Sequence, residues 1–466
     1  MKLAQPTTST AVVGSSTPRV RRPKLHGLGT ATPLHRMSQA ESLQMFTDIV
    51  CEDERQARLA RVLYKKTKVE NRHTCVPHQV AYNWCQPVDG LASGPRTNLA
   101  VPPKVIPQVT GGSSHGPTTL ERMRLYADFA SDLAVQASQR ALASAAMAAG
   151  EITHLVTVSC TGFDAPGVDI ELIQQLGLPC STQRINVGFM GCHGAINGLR
   201  AALGIATADP HAKVLVCCVE LCSLHYRFKW DSEGIVGNAL FADGAAAVVL
   251  SQAELRGLLE DDSYTNDLRT NDSSIGHYPA EESPVEESPA EESTGFEATS
   301  YGSAADGASF GDWQLLDTGS LVIADSKQAM SWRVGDHGFE MLLTSEVGDR
   351  IEEGLADWLN GWLAMHDLAL EDIDYWGVHP GGPRILSAVQ NSLQLDDAAL
   401  STSRHVLQHN GNMSSPTVLF ILNEFLSQYV AERRLGGESE RRKHCILLAF
   451  GPGLVAEIAL LSTTPR

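Results

Sequence analysis

The stretch RINVGFMGCHGAINGLRAALGIA, residues 184–206, joins a strand pattern to a helix pattern through a glycine turn. RINVGFMG reads as a strand running into that turn, and HGAINGLRAALGIA as a helix of small residues. Cys192 stands between Gly191 and Gly194, at or just before the helix N-terminus. Glycines at such a place let the backbone approach a ligand closely. The unpaired N–H groups and the dipole of a helix N-terminus favour a thiolate. In such settings a cysteine pKa falls from about 8.5 into roughly the 3.5 to 7.5 range. The expectation is an α/β fold with a nucleophile at a strand–helix turn.

Outward from this unit the same alternation recurs. THLVTVSC (153–160) and KVLVCCVEL (213–221) read as buried strands, and VDIELIQQLGL (168–178) as a helix. ALFADGAAAVVLS (239–251) reads as strand, glycine turn, strand. In the second half GLADWLNGWLAMH (354–366) and SSPTVLFILNEFLSQYV (414–430) are helical, and DYWGVHP (374–380) is a strand into a turn. HCILLAFGPGLVAEIALLS (444–462) again gives strand, glycine turn, strand. Each half thus closes on a like unit, at 238–250 and 445–461, after a βαβα run. Two related α/β halves in a pseudo-symmetric architecture are expected.

With 466 residues the chain is long enough for two large domains or one composite core. Its formal charge of -18 is unevenly placed, since residues 260–312 hold fourteen acidic residues and one basic, Arg269. The remainder is only mildly acidic and offers no broad basic surface to nucleic acid. Around EESPVEESPAEES (281–293) acidic pairs alternate with Ser-Pro. Such a segment has too little apolar surface to offset its ordering entropy. Residues 256–311 are therefore expected to form a disordered acidic insertion between the halves, 23–255 and 312–466. Residues 1–22, rich in Thr, Ser and Pro, are expected to be a disordered tail. No stretch reaches the roughly 18 to 20 apolar residues that span a bilayer, and the N-terminus lacks the apolar core of a secretory signal. Ten cysteines without regular spacing read as reduced thiols, with Cys217 and Cys218 buried in an apolar run. The expectation is a cytoplasmic protein without stable membrane association. No CxxC or His/Cys cluster suggests a metal.

Two further islands carry chemistry. WGVHPGGP (376–383) places His379 at a strand end before a rigid turn that would project a side chain into a cleft. An imidazolium beside the cysteine would hold a thiolate, and its N–H would then donate to a thioester carbonyl. HNGNMSS (409–415) offers Asn412, a neutral N–H donor suited to an enolate oxygen. Thiol, imidazole and carboxamide are the parts needed to hold an acyl group and build a carbanion beside it. Each also has an ordinary reading, as a buried cysteine, a satisfied strand-end histidine and a turn or cap residue.

GFMGCHGA, WGVHPGGPRIL, GNMSSPTVLFIL and AFGPGLVAEIAL resemble the type III polyketide synthases, the chalcone and stilbene synthase family. SCTGFDAPGVDIELIQQLGL and NALFADGAAAVVL match as well, and LCSLHY looks more like bacterial members than plant ones. The resemblance covers about residues 23–255 and 312–463. It implies a thiolase-like αβαβα five-layer sandwich of two pseudo-symmetric halves, assembled as a homodimer. It implies an acyltransferase that uses an acyl-CoA starter and malonyl-CoA, with no metal or redox cofactor. Cys192 would take the starter acyl group, and His379 with Asn412 would stabilise the enolate formed on decarboxylation. Phe241 and Phe339 resemble the aromatic gate between the coenzyme A tunnel and the cavity. Thr161, Ser414, Ala165 and His225 fall at positions around the cavity, Ala165 where plant enzymes send a methionine across the dimer interface. Lys65, Lys66, Lys68 and Arg72 fall where the family places basic residues for coenzyme A phosphates. His193 replaces an aromatic residue after the nucleophile, so that a second imidazole there would tune Cys192 or cap the helix. The starter, the number of extensions and the cyclisation (resorcinol, pyrone, chalcone or naphthalene type) stay open.

A ketoacyl-acyl carrier protein synthase of the fatty-acid-initiating type shares Cys, His and Asn, but lacks GNMSS and GPGL in this form. A non-catalytic scaffold with the acidic insertion as its working part is the remaining alternative. The three reactive residues argue against it.

Overall fold

In the computed structural model, which describes residues 22–84, 115–231, 234–252, 312–434 and 441–464, the first half opens with β1 (Lys24–Ala31), β2 (His35–Ser38), α1 (Gln39–Val50), α2 (Glu54–Lys66), β3 (Asn71–Thr74) and α3 (Ala81–Trp84). It continues through α4 (Thr119–Ser144), β4 (His154–Ser159), α5 (Val168–Leu176), β5 (Gln183–Gly188), α6 (Gly194–Ala208), β6 (Lys213–Leu221), α7 (Ile235–Leu240) and β7 (Asp243–Ser251). The second half runs β8 (Trp313–Val322), β9 (Met330–Gly335), β10 (Gly338–Leu343), α8 (Val347–Ala364) and β11 (Tyr375–Val378). It ends with α9 (Pro383–Leu393), α10 (Ser401–Asn410), α11 (Thr417–Arg434), β12 (His444–Gly451) and β13 (Val455–Thr463). The expected tail up to residue 21 and the expected insertion at 256–311 lie outside the described residues.

The main strands are ordered β5-β4-β6-β7-β1 and then β8-β13-β12-β11. Counted outward from the junction, β1 corresponds to β8, β7 to β13, β6 to β12 and β4 to β11. The pairing senses match step for step: antiparallel, antiparallel, parallel. Between β1 and β8 the ladder consists of the single pair Lys24–Gln314. The two halves are thus two equivalent sheets joined at one edge, and both belong to one compact unit.

Successive side chains on a strand point to opposite faces. On β12, Cys445, Leu447 and Ala449 enter one core, while Ile446, Leu448 and Phe450 enter another. The first core is filled by α6 and α11, which contact strands of both sheets and lie between them. The second is covered by α8 and α9. On the other side α4 lies across β1, β7 and β6. The layers are therefore α, β, α, β, α, a thiolase-like sandwich. Burial on both faces explains the unbroken apolar run of β6, in which Cys217 and Cys218 are fully buried. Truncating a side chain such as Leu447 in this core costs about 2–5 kcal/mol. Among the described residues no helix is long and apolar enough to cross a membrane.

One expected element is different. ALFADGAAAVVLS is not strand, turn, strand: α7 ends at Leu240 and a single strand runs from Asp243 to Ser251. Gly244 serves close approach rather than a turn, because a Cβ there would stand 2.5 Å from the Met413 sulfur. Of the two units expected to be alike, only the one at β12 and β13 is a tight glycine hairpin. In the first half the antiparallel neighbours β6 and β7 are joined by the long connection 222–242, which carries His225 and Phe241.

Candidate active site

Cys192 occupies a 3-10 turn, Gly191–His193, between β5 and α6. Gly191 has φ +74, and a Cβ on it would stand 2.4 Å from Pro452 Cδ. A Cβ on Gly451 would stand 2.2 Å from Cδ2 of His193. The GPGL hairpin of the second half is therefore the seat on which the nucleophile turn of the first half rests. His193 is buried and its Nδ1 lies 2.7 Å from Asn197 Oδ1, one turn along α6. Further along that helix Arg200 pairs with Glu457 of β13 and donates to Gly319 O at 3.0 Å, tying α6 to the second sheet.

Asn412 lies between α10 and α11. Its Oδ1 accepts the Ser414 N–H at 2.8 Å, which leaves the carboxamide NH2 to meet the Cys192 thiol. Cys192 keeps partial exposure, but its thiol is surrounded by protein, and burial pushes it up to about 11. Hydrogen bonds from Ser414 and Asn412 pull the other way, while the Glu220 charge adds to the rise. The structure thus brings Cys192, Asn412 and Ser414 into one site.

His379 follows β11 and donates its backbone N–H to Leu448 O at 2.7 Å. It is 1% exposed, and among the described residues neither ring nitrogen has a hydrogen-bond partner. Buried polar atoms are ordinarily paired, so this ring is free to receive a ligand. Burial, with the His193 ring second, lowers its pKa to about 3. Burial thus acts on both groups against the thiolate–imidazolium pair expected from the sequence, raising the thiol and lowering the imidazole.

Phe241 and Phe339 line one small cavity of about 40 Å³ together with Trp332 and His225. Phe339 is on β10 and is buried; Phe241 directly follows α7. The Thr161 hydroxyl is occupied internally, donating to Glu220 Oε2 at 2.7 Å and accepting the Leu221 N–H at 2.9 Å. Ala165 is on an exposed loop. Lys65 and Lys68 line a separate cavity of about 720 Å³, with Arg404 and Pro383 of the turn after His379.

Arg72 does not join them. It is 2% exposed and donates to the carbonyls of Asn238 (2.8 Å), Ala239 (2.7 Å) and Phe241 (3.0 Å) and to Gln39 Oε1. Those carbonyls sit at the C-terminal end of α7, where a cation is favoured. Arg72 is a structural cation, bound to these internal acceptors rather than exposed for the coenzyme A phosphates that the resemblance implied.

Three functional neighbours had escaped the sequence reading. Glu220, fully buried at the end of β6, accepts from Cys160 N, Thr161 N, the Thr161 hydroxyl and the Ser415 hydroxyl (2.6 Å). Its signal was present, as the lone acid closing the apolar run KVLVCCVEL. Cys160 places its sulfur 3.2 Å from the Ser414 hydroxyl. Trp332 of β9 donates its Nε1–H to Cys160 O at 2.8 Å. Nothing in their sequence neighbourhoods distinguishes these last two.

Residues 104–253 match the N-terminal domain of chalcone and stilbene synthases, and residues 314–465 match the C-terminal domain. The chain belongs to the chalcone and stilbene synthase family. As a family member it is a type III polyketide synthase, a condensing acyltransferase. This sets aside the carrier-protein-dependent and scaffold alternatives. It is 28% identical over 442 residues to the alpha-pyrone synthesis polyketide synthase-like Pks18 of Mycobacterium tuberculosis, covering 95% of this chain and 91% of that protein. It is also 28% identical over 433 residues to the 1,3,6,8-tetrahydroxynaphthalene synthase of Streptomyces peucetius, covering 93% and 91%. The crystal structure of PKS-I from the brown alga Ectocarpus siliculosus superposes with a TM-score of 0.74 at 26% identity, over 95% of this chain and 98% of that one. The C-terminal type III polyketide synthase domain of Steely1 from Dictyostelium shares the fold, with a TM-score of 0.70 at 20% identity, over 95% and 99%.

Proposed function

We propose that this synthase loads an acyl group from an acyl-CoA onto Cys192 and extends it with malonyl-CoA by decarboxylative Claisen condensation. The observation that carries the reading is the surroundings of the buried Cys192 thiol, which Asn412 and Ser414 meet by hydrogen bonds. The His379 ring, buried and without a partner among the described residues, is the second donor that the reading calls on. In loading, the thiol attacks the thioester carbonyl and coenzyme A leaves with the proton. His379 receives that proton during attack and returns it to the departing thiolate. Malonyl-CoA then loses carbon dioxide, and its enolate oxygen is held by N–H donors from Asn412 and the neutral imidazole. The enolate carbon attacks the Cys192 thioester, the C–S bond breaks, and Cys192 leaves as a thiolate that takes a proton from solvent, with the lengthened β-ketoacyl chain on coenzyme A. One such donor is worth about 10² to 10³ in rate.

The cavity with Lys65, Lys68 and Arg404 fits the phosphate end of coenzyme A, beside the turn that carries His379. The reading calls on no cofactor beyond coenzyme A thioesters. It also takes the enzyme as a cytoplasmic homodimer. Support for the dimer lies in β5, an edge strand with Ile185 exposed, flanked by exposed Phe163, Phe189 and Met190.

The deciding experiment incubates purified protein with malonyl-CoA and a panel of acyl and aryl starters, and reads products by mass spectrometry. Pyrone and naphthalene products head the list to look for, given the names of the two relatives. Cys192→Ala is expected to abolish polyketide formation and to retain malonyl-CoA decarboxylation, since the enolate donors remain. Undiminished polyketide formation by that variant would sink the mechanism.

A further inference from the structure

His225 uses both ring nitrogens, and it uses them on two different parts of the site. Its Nε2–H donates to Thr161 O at 2.6 Å, and its Nδ1 accepts the backbone N–H of Phe339 at 2.9 Å. A single neutral tautomer satisfies both bonds. The same ring lies flat against the Phe339 ring, with centroids 4.2 Å apart and planes 13° from parallel. His225 is buried, so both bonds are made away from competing water.

Both ends of this bridge are firm. Thr161 is held by Glu220, which accepts its backbone N–H at 3.0 Å and its hydroxyl. The His225 turn is held by Arg122, which donates to the carbonyls of Leu224 and, at 2.9 Å, Tyr226. The third member, the β9–β10 hairpin carrying Phe339, extends away from the main sheets as its own two-stranded ribbon. A two-stranded ribbon has little stability by itself and takes its position from what it docks on. Thr119 holds its turn end, through Gly335 O and the Gly338 N–H. Near the site His225 docks it through Phe339 N, and Trp332 through its Nε1–H to Cys160 O at 2.8 Å. Phe339 also meets the rings of Phe163, Phe189 and Trp332.

We propose that His225 is a positioning residue that pins the gate hairpin, and so sets the acyl length that reaches Cys192. Besides lining the cavity, it fixes Phe339 in the position that leaves about 40 Å³ beside Phe241. The inference rests on the proposed loading of Cys192 from an acyl-CoA.

The test measures loading of Cys192 by peptide mass spectrometry with hexanoyl-CoA and palmitoyl-CoA, separately and without malonyl-CoA. His225→Leu removes both bonds, and His225→Gln keeps one donor and one acceptor. Trp332→Phe removes the second tie while keeping an aromatic ring. His225→Leu is expected to raise the palmitoyl-to-hexanoyl loading ratio roughly tenfold, the scale on which pocket shape discriminates chain length. Trp332→Phe should shift it in the same direction, and His225→Gln should stay within about twofold of the parent. Ratios unchanged in both His225→Leu and Trp332→Phe overturn the proposal, as does a His225→Gln ratio equal to that of His225→Leu. Should His225→Leu fail to fold, Trp332→Phe against His225→Gln decides. A parent protein that loads neither thioester refutes the loading reaction itself, an outcome distinct from equal ratios.

Discussion

Asn412 and Phe241 are a backbone pair: the Asn412 N–H donates to Leu240 O, and the Ala242 N–H donates to Asn412 O, both at 2.9 Å. Asn412, the proposed enolate donor, and Phe241, a proposed gate residue, are therefore joined through the backbone. Arg72 holds the carbonyls of Asn238, Ala239 and Phe241 beside them. With those proposed roles, an acyl chain that displaces Phe241 would also strain the peptide that positions Asn412, and selection of substrate would be coupled to stabilisation of charge.

Asn412→Ala should lower the rate of malonyl-CoA decarboxylation by about 10² to 10³, the usual loss for one oxyanion donor. It should also cost stability, because the buried Ser414 N–H loses its acceptor, a change of about 1–3 kcal/mol. Carbon dioxide release and urea unfolding measure the two effects. A variant that decarboxylates at the parent rate would remove Asn412 from the chemistry.

Acid should unfold the protein through its buried histidines. The pKa of His379 is held down at about 3 by burial and then by the His193 charge, against about 6.5 in an unfolded chain. The native state refuses a proton that the unfolded state accepts, so this stability is present above about pH 6.5 and is lost as pH falls towards 3. Asp243 works in the opposite sense, since burial raises it to about 6 and makes the native form the better proton binder below that pH. A difference measurement separates them. The stability of the parent minus that of His379→Gln should fall by about 1.4 kcal/mol per pH unit below 6.5. Urea unfolding at pH 7, 6 and 5 tests this, and a flat difference contradicts it.

The parts of the fold legible in the sequence are those buried on both faces. β6, β12, β13, α6 and α11 carry long apolar runs, because each is enclosed between layers, and glycines mark the turns at Gly191 and Gly453. β9 and β10 were not legible, since MSWRVG is mostly half-exposed and shows no clean alternation. Gly244 misled because a glycine needed for close approach reads the same as one needed for a turn. Arg72 misled for a similar reason. A cation at a helix-to-strand junction does not announce whether it points to solvent or to buried carbonyls. Cys192, His379 and Asn412, the residues proposed to carry the chemistry, stood out because each sits beside loop glycines.

Lys65→Ala and Lys68→Ala should each raise KM for malonyl-CoA severalfold, with kcat nearly unchanged. Both line the 720 Å³ cavity, away from the thiol, and a contact kept from ground state to transition state affects binding alone. The malonyl thioester of N-acetylcysteamine lacks the nucleotide phosphates, so its KM should not respond. Equal effects on both thioesters would mean that the lysines act on the fold rather than on coenzyme A. Raising the salt concentration should weaken malonyl-CoA binding in the parent more than in the variants, because exposed charges are screened within about 10 Å at 0.1 M.

Ile185→Lys should separate the proposed dimer. β5 pairs with β4 on one side only, its residues are mostly exposed, and Ile185 itself is 44% exposed. A bare edge strand flanked by aromatic side chains is a surface that other chains pair with, and a lysine on it is the common natural way to prevent that. Because Phe163 and Phe189 lie on this surface and also touch Phe339, losing the partner should loosen the gate. The variant is therefore expected to run as a monomer in size-exclusion chromatography with light scattering, with its thermal midpoint lowered and its polyketide products longer or less uniform. A dimer that survives Ile185→Lys with its product profile intact would place the interface elsewhere and uncouple it from Phe339.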